Sequence, residues 1–134
     1  MAQTPETVTN PFLVVDRPRG IIEKLAEGDF KTILRITSKA DTVGANHYHK
    51  TDTHICYLSK GKYEYYTRAA GDPSAPIEKI LITQGQLVYT PSMLEHAMHF
   101  LEDSELYCFS TAPQRDQAAY EADTVRVELY PPRQ

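Results

Sequence analysis

Four histidines lie in two short stretches of this sequence, and their spacing is typical of a metal site. His47, His49 and His54 fall within eight residues, and His96 lies in a second stretch. In an extended strand residues i and i+2 face the same way, so His47 and His49 project from one face. A turn through residues 51–53 can return the chain so that His54 approaches them. Because neutral imidazole binds zinc, copper, iron and nickel, the pattern predicts one metal ion with an open position.

The remaining histidine and several charged residues are predicted to lie outside such a site. Strand alternation puts His99 on the face opposite His96, where it is expected to be a surface or interface residue and not a ligand. The same alternation turns Glu95 towards solvent. Three further charged residues are interpreted as solvated turn or edge charges: Lys50, Asp52 and Arg68.

Period-two alternation and frequent turn signals predict an all-β fold. The residues from Phe30 to Thr37 alternate clearly, and residues 21–25 are ambiguous between strand and helix. The predicted strands are Phe12–Val15, Phe30–Thr37, Thr42–His49, His54–Ser59, Lys62–Arg68, Glu78–Thr83, Gln86–Thr90, Glu95–Leu101, Glu105–Thr111 and Val125–Tyr130. One short helix is predicted at residues 114–121. Closely spaced short strands indicate an antiparallel sandwich or barrel.

Length and charge limit the domain organisation and the partners. The 134 residues suffice for one core, and we expect a single barrel domain over residues 12–134 after a flexible arm at 1–11. The formal net charge of −4, without a basic run, argues against nucleic acid or an anionic membrane as partner. No apolar run is long enough to span a bilayer, and the start does not read as a signal peptide.

The two cysteines carry no metal or disulfide signature. Cys56 and Cys108 are too far apart for a CxxC zinc site, and two cysteines do not make a disulfide framework. Both lie in predicted strands. We therefore expect buried free thiols and a reducing cytoplasm.

The first histidine stretch resembles the first conserved motif of the cupin superfamily. That motif is a His-x-His pair, three or four residues, a Glu, six residues and a Gly. Here His47-x-His49-x4-His54-x6-Gly61 keeps every spacing, but a histidine stands where the family has its glutamate. In this respect the chain is similar to the four-histidine cupins. The family's Gly six residues before the first His is Asp41 here.

The second stretch resembles the second cupin motif, Gly-x5-Pro-x-Gly-x2-His-x3-Asn. Here Gly85-x5-Pro91-x-Met93-x2-His96-x3-Phe100 keeps the first Gly, the Pro and the His. The motif's second Gly is Met93 and its Asn is Phe100, so we expect this turn to be built differently from that of the family. The two motifs with the stretch between them cover residues 47–100.

This resemblance implies a double-stranded β-helix (a jelly-roll cupin barrel) with one divalent metal per chain near its mouth. The implied ligands are His47, His49, His54 and His96. If His54 turns away, the site is a three-histidine one. Iron is the favoured metal, and zinc, manganese, nickel or copper remain open because imidazole ligands alone do not separate them. Single-domain cupins often form homodimers, and edges at 12–15 and 125–130 are candidate contacts.

Three functions follow from the site. The favoured hypothesis is a mononuclear non-haem metal oxygenase, a dioxygenase-like oxidoreductase acting on a small organic molecule. The alternative is a non-redox isomerase, cyclase or lyase of sugar or polyketide type, in which the metal is a Lewis acid. It lacks an obvious carboxylate base, for which a tyrosine could substitute; the candidates are Tyr63, Tyr66 and Tyr89. The third hypothesis is a small-ligand-binding barrel without catalysis.

Overall fold

A computed structural model describes residues 6–131 of the chain, which contain twelve strands and one helix. The strands are β1 (Val8–Thr9), β2 (Phe12–Arg17), β3 (Gly20–Lys24), β4 (Thr32–Ser38), β5 (Val43–His49), β6 (His54–Lys60), β7 (Lys62–Ala69), β8 (Glu78–Thr83), β9 (Leu87–Thr90), β10 (Leu94–Phe100), β11 (Ser104–Ser110) and β12 (Thr124–Arg126). The helix α1 spans Gln117–Ala122. Within the described range no helix is long and apolar enough to cross a membrane.

Two five-stranded antiparallel sheets form the body of the protein. One has the strand order β1-β9-β6-β11-β4 and the other β12-β5-β10-β7-β8. Their facing sides share a core to which β6, β9 and β11 contribute from the first sheet and β7, β8 and β10 from the second. The strand pair β2-β3 stands apart as a two-stranded sheet. The predicted all-β jelly roll is therefore confirmed.

Most predicted strands begin and end within two residues of the observed ones, and the two termini differ most. The ambiguous segment at 21–25 is part of β3. Val125–Tyr130 is strand only as far as Arg126, because the side chain of Asn46 then forms hydrogen bonds with the backbone of Leu129 and Tyr130. Its Oδ1 accepts from the amides of Leu129 and Tyr130, each at 2.9 Å, and its Nδ2 donates to the carbonyl of Tyr130.

Part of the segment predicted as a flexible arm is a strand. In β1, Val8 and Thr9 pair with Val88 and Leu87 of β9. Residues 1–5, where much of the predicted arm lies, fall outside the described residues. The division into arm and barrel stays a prediction.

The prediction of two free thiols is wrong. Cys56 and Cys108 lie directly opposite each other on the paired strands β6 and β11 and form a disulfide. The pairing could not be predicted from spacing, because the two cysteines are 52 positions apart in the sequence and become neighbours only through the pairing of β6 with β11. The argument for a reducing compartment that rested on free thiols therefore falls away.

Two positions where the cupin motifs have glycine keep a glycine-like backbone without glycine. Asp41 has φ 63° and Met93 has φ 64°, both in the left-handed region. Met93 thus holds a conformation that suits glycine better than a residue with a Cβ. Gly61, by contrast, is required: its φ is +105°, and an added Cβ would lie 2.7 Å from the Cα of Ser104.

Candidate functional site

A cavity of about 180 Å³ opens between the two sheets, and all four predicted ligands line one end of it. His47 and His49 come from β5, His54 from β6 and His96 from β10. The expected alternation is observed, since His47 and His49 face the cavity and both are almost fully buried. The structure therefore brings together the four histidines that the spacing singled out.

A bulge in β5 sets His47 opposite His96. In the pairing of β5 with β10, His96 faces His47 while Ala97 faces Ala45, so Asn46 is an extra residue in β5. Ala45 and Asn46 both have φ 62°, which produces the local bend. The Asn46 side chain also accepts hydrogen bonds from the amides of Leu129 and Tyr130, so the residue that forms the bulge also positions the C-terminal segment.

The imidazole rings form a compact group. Ring centroids lie 4.5 Å apart for His47 and His49, 4.8 Å for His47 and His96, and 5.7 Å for His49 and His96. His54 is 5.7 Å from both His49 and His96. One ring nitrogen from each of His47, His49 and His96 lies within 4.8 Å of the other two. His54 forms such a group with His49 and a carboxylate oxygen of Asp52.

Burial keeps three of these imidazoles neutral. It lowers the pKa of His47 to about 3, with the neighbouring His49 adding to the effect. Burial likewise lowers the pKa of His49, and it holds the pKa of His96 well below its usual value. A neutral imidazole keeps a lone pair on one nitrogen, which is the form that binds metal.

The hydrogen bonds of the rings direct those lone pairs. The Nδ1 of His96 lies 2.9 Å from the carbonyl oxygen of Leu94, which can only accept, so the proton is on Nδ1 and the lone pair on Nε2. The Nδ1 of His49 lies 3.4 Å from the hydroxyl of Thr124. The Nδ1 of His47 is buried without a partner among the described residues. An orphaned buried nitrogen beside two oriented imidazoles fits a metal ion.

Asp52 is the main site residue that the sequence interpretation missed. It was expected to be a solvated turn charge, but only 3% of it is exposed and it lines the cavity beside His54. Its Oδ2 lies 2.9 Å from Nδ1 of His54, and its Oδ1 accepts from the hydroxyl of Ser110. Burial raises the pKa of Asp52, but the hydrogen bonds of His54 and Ser110 outweigh it and lower that pKa to about 2. Asp52 is therefore a carboxylate that orients His54.

A second carboxylate, Asp123, holds the turn that carries Asp52. Its Oδ1 accepts from the amide and hydroxyl of Thr51 at 2.9 and 2.8 Å, and its Oδ2 accepts from the amide of Asp52 at 3.0 Å. Asp123 directly follows α1. The turn and the helix are thus joined, which no local sequence signal revealed.

Tyr120 covers the histidine end of the cavity from α1. Its ring centroid lies 5.6 Å from that of His49 and 6.1 Å from that of His47. Burial raises the pKa of Tyr120, so its phenol stays protonated. The helix begins after Asp116, whose side chain accepts from the amide of Ala119.

Of the three candidate tyrosines only Tyr63 lines the cavity. Tyr66 lies on the other side of β7, where its ring contacts Tyr130 and its hydroxyl donates to Glu64. Tyr89 is also outside the cavity lining. The hydroxyl of Tyr63 is buried without a partner among the described residues, and burial raises its pKa well above the usual value.

Of the charged residues outside the cavity, Glu95 is buried and Arg68 is half-buried, against expectation. Glu95 points away from the cavity as predicted, but only 6% of it is exposed because Arg68 covers it with an ion pair of 2.7 Å. Arg68 is correspondingly less exposed than an edge charge would be. His99 is on the opposite face from His96, bonded to Glu64 at 2.9 Å and stacked on Tyr130. It is not among the lining residues.

No protein-family model and no curated protein sequence matches the chain. Several solved structures are similar to it. A dTDP-4-dehydrorhamnose 3,5-epimerase from Sulfolobus tokodaii is 17% identical with a TM-score of 0.66, over 83% of this chain and 72% of its own. A sugar 3,4-ketoisomerase from Thermoanaerobacterium thermosaccharolyticum, solved with TDP, is 16% identical with a TM-score of 0.67, over 89% and 85%.

The similarity extends to part of a larger protein. A capsular polysaccharide assembling protein from Staphylococcus aureus is 21% identical with a TM-score of 0.64, and the match covers 89% of this chain but 34% of that one. At these identities the likeness shows the fold, which is the jelly-roll barrel of cupins.

The prediction of a dioxygenase-like oxidoreductase is wrong by this comparison. The neighbours include an epimerase and a ketoisomerase, and they favour the non-redox isomerase alternative over the oxygenase hypothesis. The objection to that alternative was the missing carboxylate base. Asp52, paired with His54 inside the cavity, removes this objection.

Proposed function

We propose that this chain is a metal-dependent isomerase or epimerase that moves a proton on a carbon beside the carbonyl group of a small organic substrate. The observation that carries the proposal is the His54–Asp52 pair, which faces the same cavity as three further neutral imidazoles. Proton transfer at such a carbon needs a positioned base and a means of stabilising the negative charge that develops on the carbonyl oxygen.

His54 is the proposed base. Asp52 accepts a hydrogen bond from the Nδ1–H of His54, which leaves the lone pair on Nε2. This lone pair takes a proton from the substrate carbon, and the electrons of the broken C–H bond pass into an enolate. Asp52 stabilises the resulting imidazolium through the hydrogen bond of 2.9 Å. The proton is then delivered to the carbon that gains it.

Tyr120 is the proposed acid on the other side of the histidine group. Its phenol is kept protonated by burial, and its ring lies against His47 and His49. In an epimerisation the protonated phenol donates its proton to the carbon from the α1 side, and the phenolate that remains regains a proton from the His54 imidazolium through solvent. Because Tyr120 also covers the histidines, it helps to exclude water from the reacting atoms.

The metal would be held by His47, His49 and His96, whose nitrogens lie within 4.8 Å of one another. When bound, a divalent ion in such a site polarises a carbonyl oxygen as a Lewis acid. This assignment departs from the four-histidine expectation, because His54 is engaged by Asp52 and groups apart from His47. Zinc, iron, manganese, nickel and copper all accept imidazole ligands, and Lewis-acid chemistry does not require iron.

Deuterium incorporation tests the proposal. Metal-reconstituted protein would be incubated anaerobically in deuterated water with free and nucleotide-linked keto sugars and with cyclic ketones, and exchange at the carbon beside the carbonyl followed by NMR. We expect exchange with wild type and at least about a hundredfold less with Asp52→Asn, which keeps the shape of the side chain but removes its charge.

Asp103→Asn is the matched control. Asp103 accepts one backbone amide, that of Ala40, at an exposed loop that does not line the cavity. Its variant should exchange at the wild-type rate. Equal rates for wild type and Asp52→Asn, with metal bound in both, would contradict the assignment of the His54–Asp52 pair.

A homodimer is the proposed assembly. The β2–β3 hairpin pairs with no other strand of the described residues, and an isolated two-stranded sheet is marginally stable in water. Its apolar side chains are 50–64% exposed: Phe12, Leu13, Val14, Ile21 and Ile22. Several exposed apolar side chains on one hairpin indicate a contact site, and a second copy of the same chain is always available as a partner.

A further inference from the structure

The cavity has two chemically different ends. The histidine end carries His47, His49, His54, His96 and Asp52, as described above. The opposite end is lined by apolar side chains of both sheets and by the disulfide: Leu34, Ile36, Val88, Met98, Phe100 and Cys56–Cys108. A substrate that reaches the histidines therefore lies with its other side against hydrocarbon and sulfur.

The described residues that line the cavity include no lysine and no arginine. Asp52 is the carboxylate among them, and it is engaged by His54 and Ser110. The charge of Arg126 helps to lower the pKa of His47, but the Arg126 side chain is 61% exposed and forms an ion pair with Glu121. A diphosphate at the apolar end, away from the histidines that would hold the metal, would have no cationic side chain beside it, and a buried charge without a partner is strongly unfavourable.

The size of the cavity leads to the same conclusion. Its volume of about 180 Å³ lies below the range of about 300–1,000 Å³ usual for drug-sized ligands. A nucleoside diphosphate sugar, which consists of a base, a pentose, two phosphates and a hexose, is larger than this volume, so only part of it could enter the cavity. A single ring compound with one or two oxygens is of suitable size.

The apolar end contains a polar atom without a partner. The hydroxyl of Tyr63, a side chain that is fully buried, lines the cavity and has no partner among the described residues. Its ring packs on Phe100, with centroids 5.5 Å apart. A buried phenol needs a hydrogen-bond partner, and a neutral oxygen of a ligand can supply it without bringing a charge into the apolar end.

We propose that the substrate is a small, mainly apolar ring ketone without phosphate, whose carbonyl faces the histidines and whose apolar side lies between β4 and β10. This inference rests on the proposed function and names its substrate class. It separates the chain from the epimerase and the ketoisomerase among its structural neighbours, whose names or bound molecules are those of nucleotide-sugar chemistry.

Calorimetric titration of the metal-reconstituted protein tests the proposal. The probes are tropolone and 4-isopropyltropolone, two ring hydroxyketones that differ by one apolar group, together with dTDP and dTDP-glucose. Burying the isopropyl group at the apolar end should make 4-isopropyltropolone bind about tenfold more tightly than tropolone. We expect neither nucleotide to bind at concentrations that saturate 4-isopropyltropolone.

Two variants on one strand make the test specific. Ile36 lines the cavity and is 38% exposed, so Ile36→Lys should fold and place an ammonium group at the apolar end. This variant should reduce the tenfold preference to about twofold or less. Ile33→Lys is the control, because Ile33 is 64% exposed on the outer face of the same strand; it should keep the preference. Should Ile36→Lys melt early by circular dichroism, Ile36→Ser replaces it with the same expectation.

The inference is overturned by equal affinity of wild type for the two tropolones, by binding of neither, or by binding of dTDP or dTDP-glucose as tight as that of 4-isopropyltropolone. These outcomes differ from failure of the proposed function. If the protein catalyses deuterium exchange but prefers the nucleotides, the proposed reaction stands and this substrate class is contradicted. If the protein prefers 4-isopropyltropolone but catalyses no deuterium exchange, the proposed substrate class stands and the proposed reaction is contradicted.

Discussion

At the scale of single residues, Met93 occupies a backbone conformation that suits glycine. Its φ is 64° and half of the residue is exposed, so no contact in the core explains the choice of methionine. The left-handed region costs a residue with a Cβ about 1–2 kcal/mol. The turn persists because its ends are fixed by other bonds, among them that from the Met93 amide to the carbonyl of His49 at 2.8 Å.

Met93→Gly should therefore stabilise the protein. Glycine removes the cost of the left-handed conformation, whereas its greater freedom in the unfolded chain offsets part of that gain. The free energy of unfolding should therefore rise by about 0.5–1 kcal/mol. Urea unfolding followed by circular dichroism measures it. Leu101→Gly is the control, since Leu101 is similarly exposed but its φ is not positive; it should lower the free energy of unfolding. A loss of stability in Met93→Gly would contradict the turn geometry.

The histidines could be predicted from sequence, whereas Asp52 could not. Alternation along one strand is a local property, so His47 and His49 had to share a face. The burial of Asp52 depends on groups that come from far along the chain: the hydroxyl of Ser110 and the carboxylate of Asp123. A polar residue in a short turn is normally exposed. The spacing Asp52-x-His54 was the one available signal.

At the scale of elements, Asp123 connects α1 to the turn between β5 and β6. Three hydrogen bonds reach its carboxylate from Thr51 and Asp52, and its own carbonyl accepts from the amide of Lys50 at 2.9 Å. The turn supplies the carboxylate of the His54–Asp52 pair, and the helix supplies Tyr120. Asp123 is thus a positioning residue for the proposed base.

Asp123→Ala should weaken both stability and exchange. Loss of hydrogen bonds to a charged acceptor should lower the free energy of unfolding by about 1–3 kcal/mol. With the turn released, deuterium exchange should fall about tenfold or more while the Kd for tropolone changes little. Asp103→Ala removes one backbone-to-carboxylate bond away from the cavity and should keep full exchange. Wild-type exchange in Asp123→Ala would show that the turn needs no such support.

Element boundaries followed from sequence where the strands alternate and are flanked by turn residues, as at Glu78–Thr83. They did not follow where a distant side chain ends a strand. Val125–Tyr130 alternates like a strand, yet the side chain of Asn46 binds the tail beyond Arg126. The disulfide was missed for a related reason, because strand pairing and not spacing sets Cys56 opposite Cys108.

At the scale of the whole molecule, the body and the hairpin differ in how they are stabilised. The body has a core shared by two sheets. The β2–β3 hairpin exposes its apolar residues, and its contact partner is proposed to be a second copy. Sequence alone pointed to an edge at 12–15 but gave no reason to expect a detached pair of strands.

Removing apolar side chains from the hairpin should therefore separate the copies. Light scattering after gel filtration should give wild type a mass of twice the 15.2 kDa of one chain. The double variant Phe12→Ser/Ile21→Ser should elute at the mass of one chain. Leu81→Ser, which alters one equally exposed residue on β8, should remain a dimer. A monomeric wild type at every concentration would contradict the proposed assembly.

The account depends most on the histidine group being a metal site in which His54 is not a required ligand. The direct measurement is metal content by plasma mass spectrometry on protein purified without a histidine tag or chelator, beside the variants His96→Ala and His54→Ala. We predict about one divalent ion per chain in wild type and in His54→Ala, and loss of the ion in His96→Ala, with the fold of each checked by circular dichroism. Loss of the ion in both variants would make His54 a ligand and contradict its role as base. A wild type that holds no metal even after reconstitution would contradict the metal site itself.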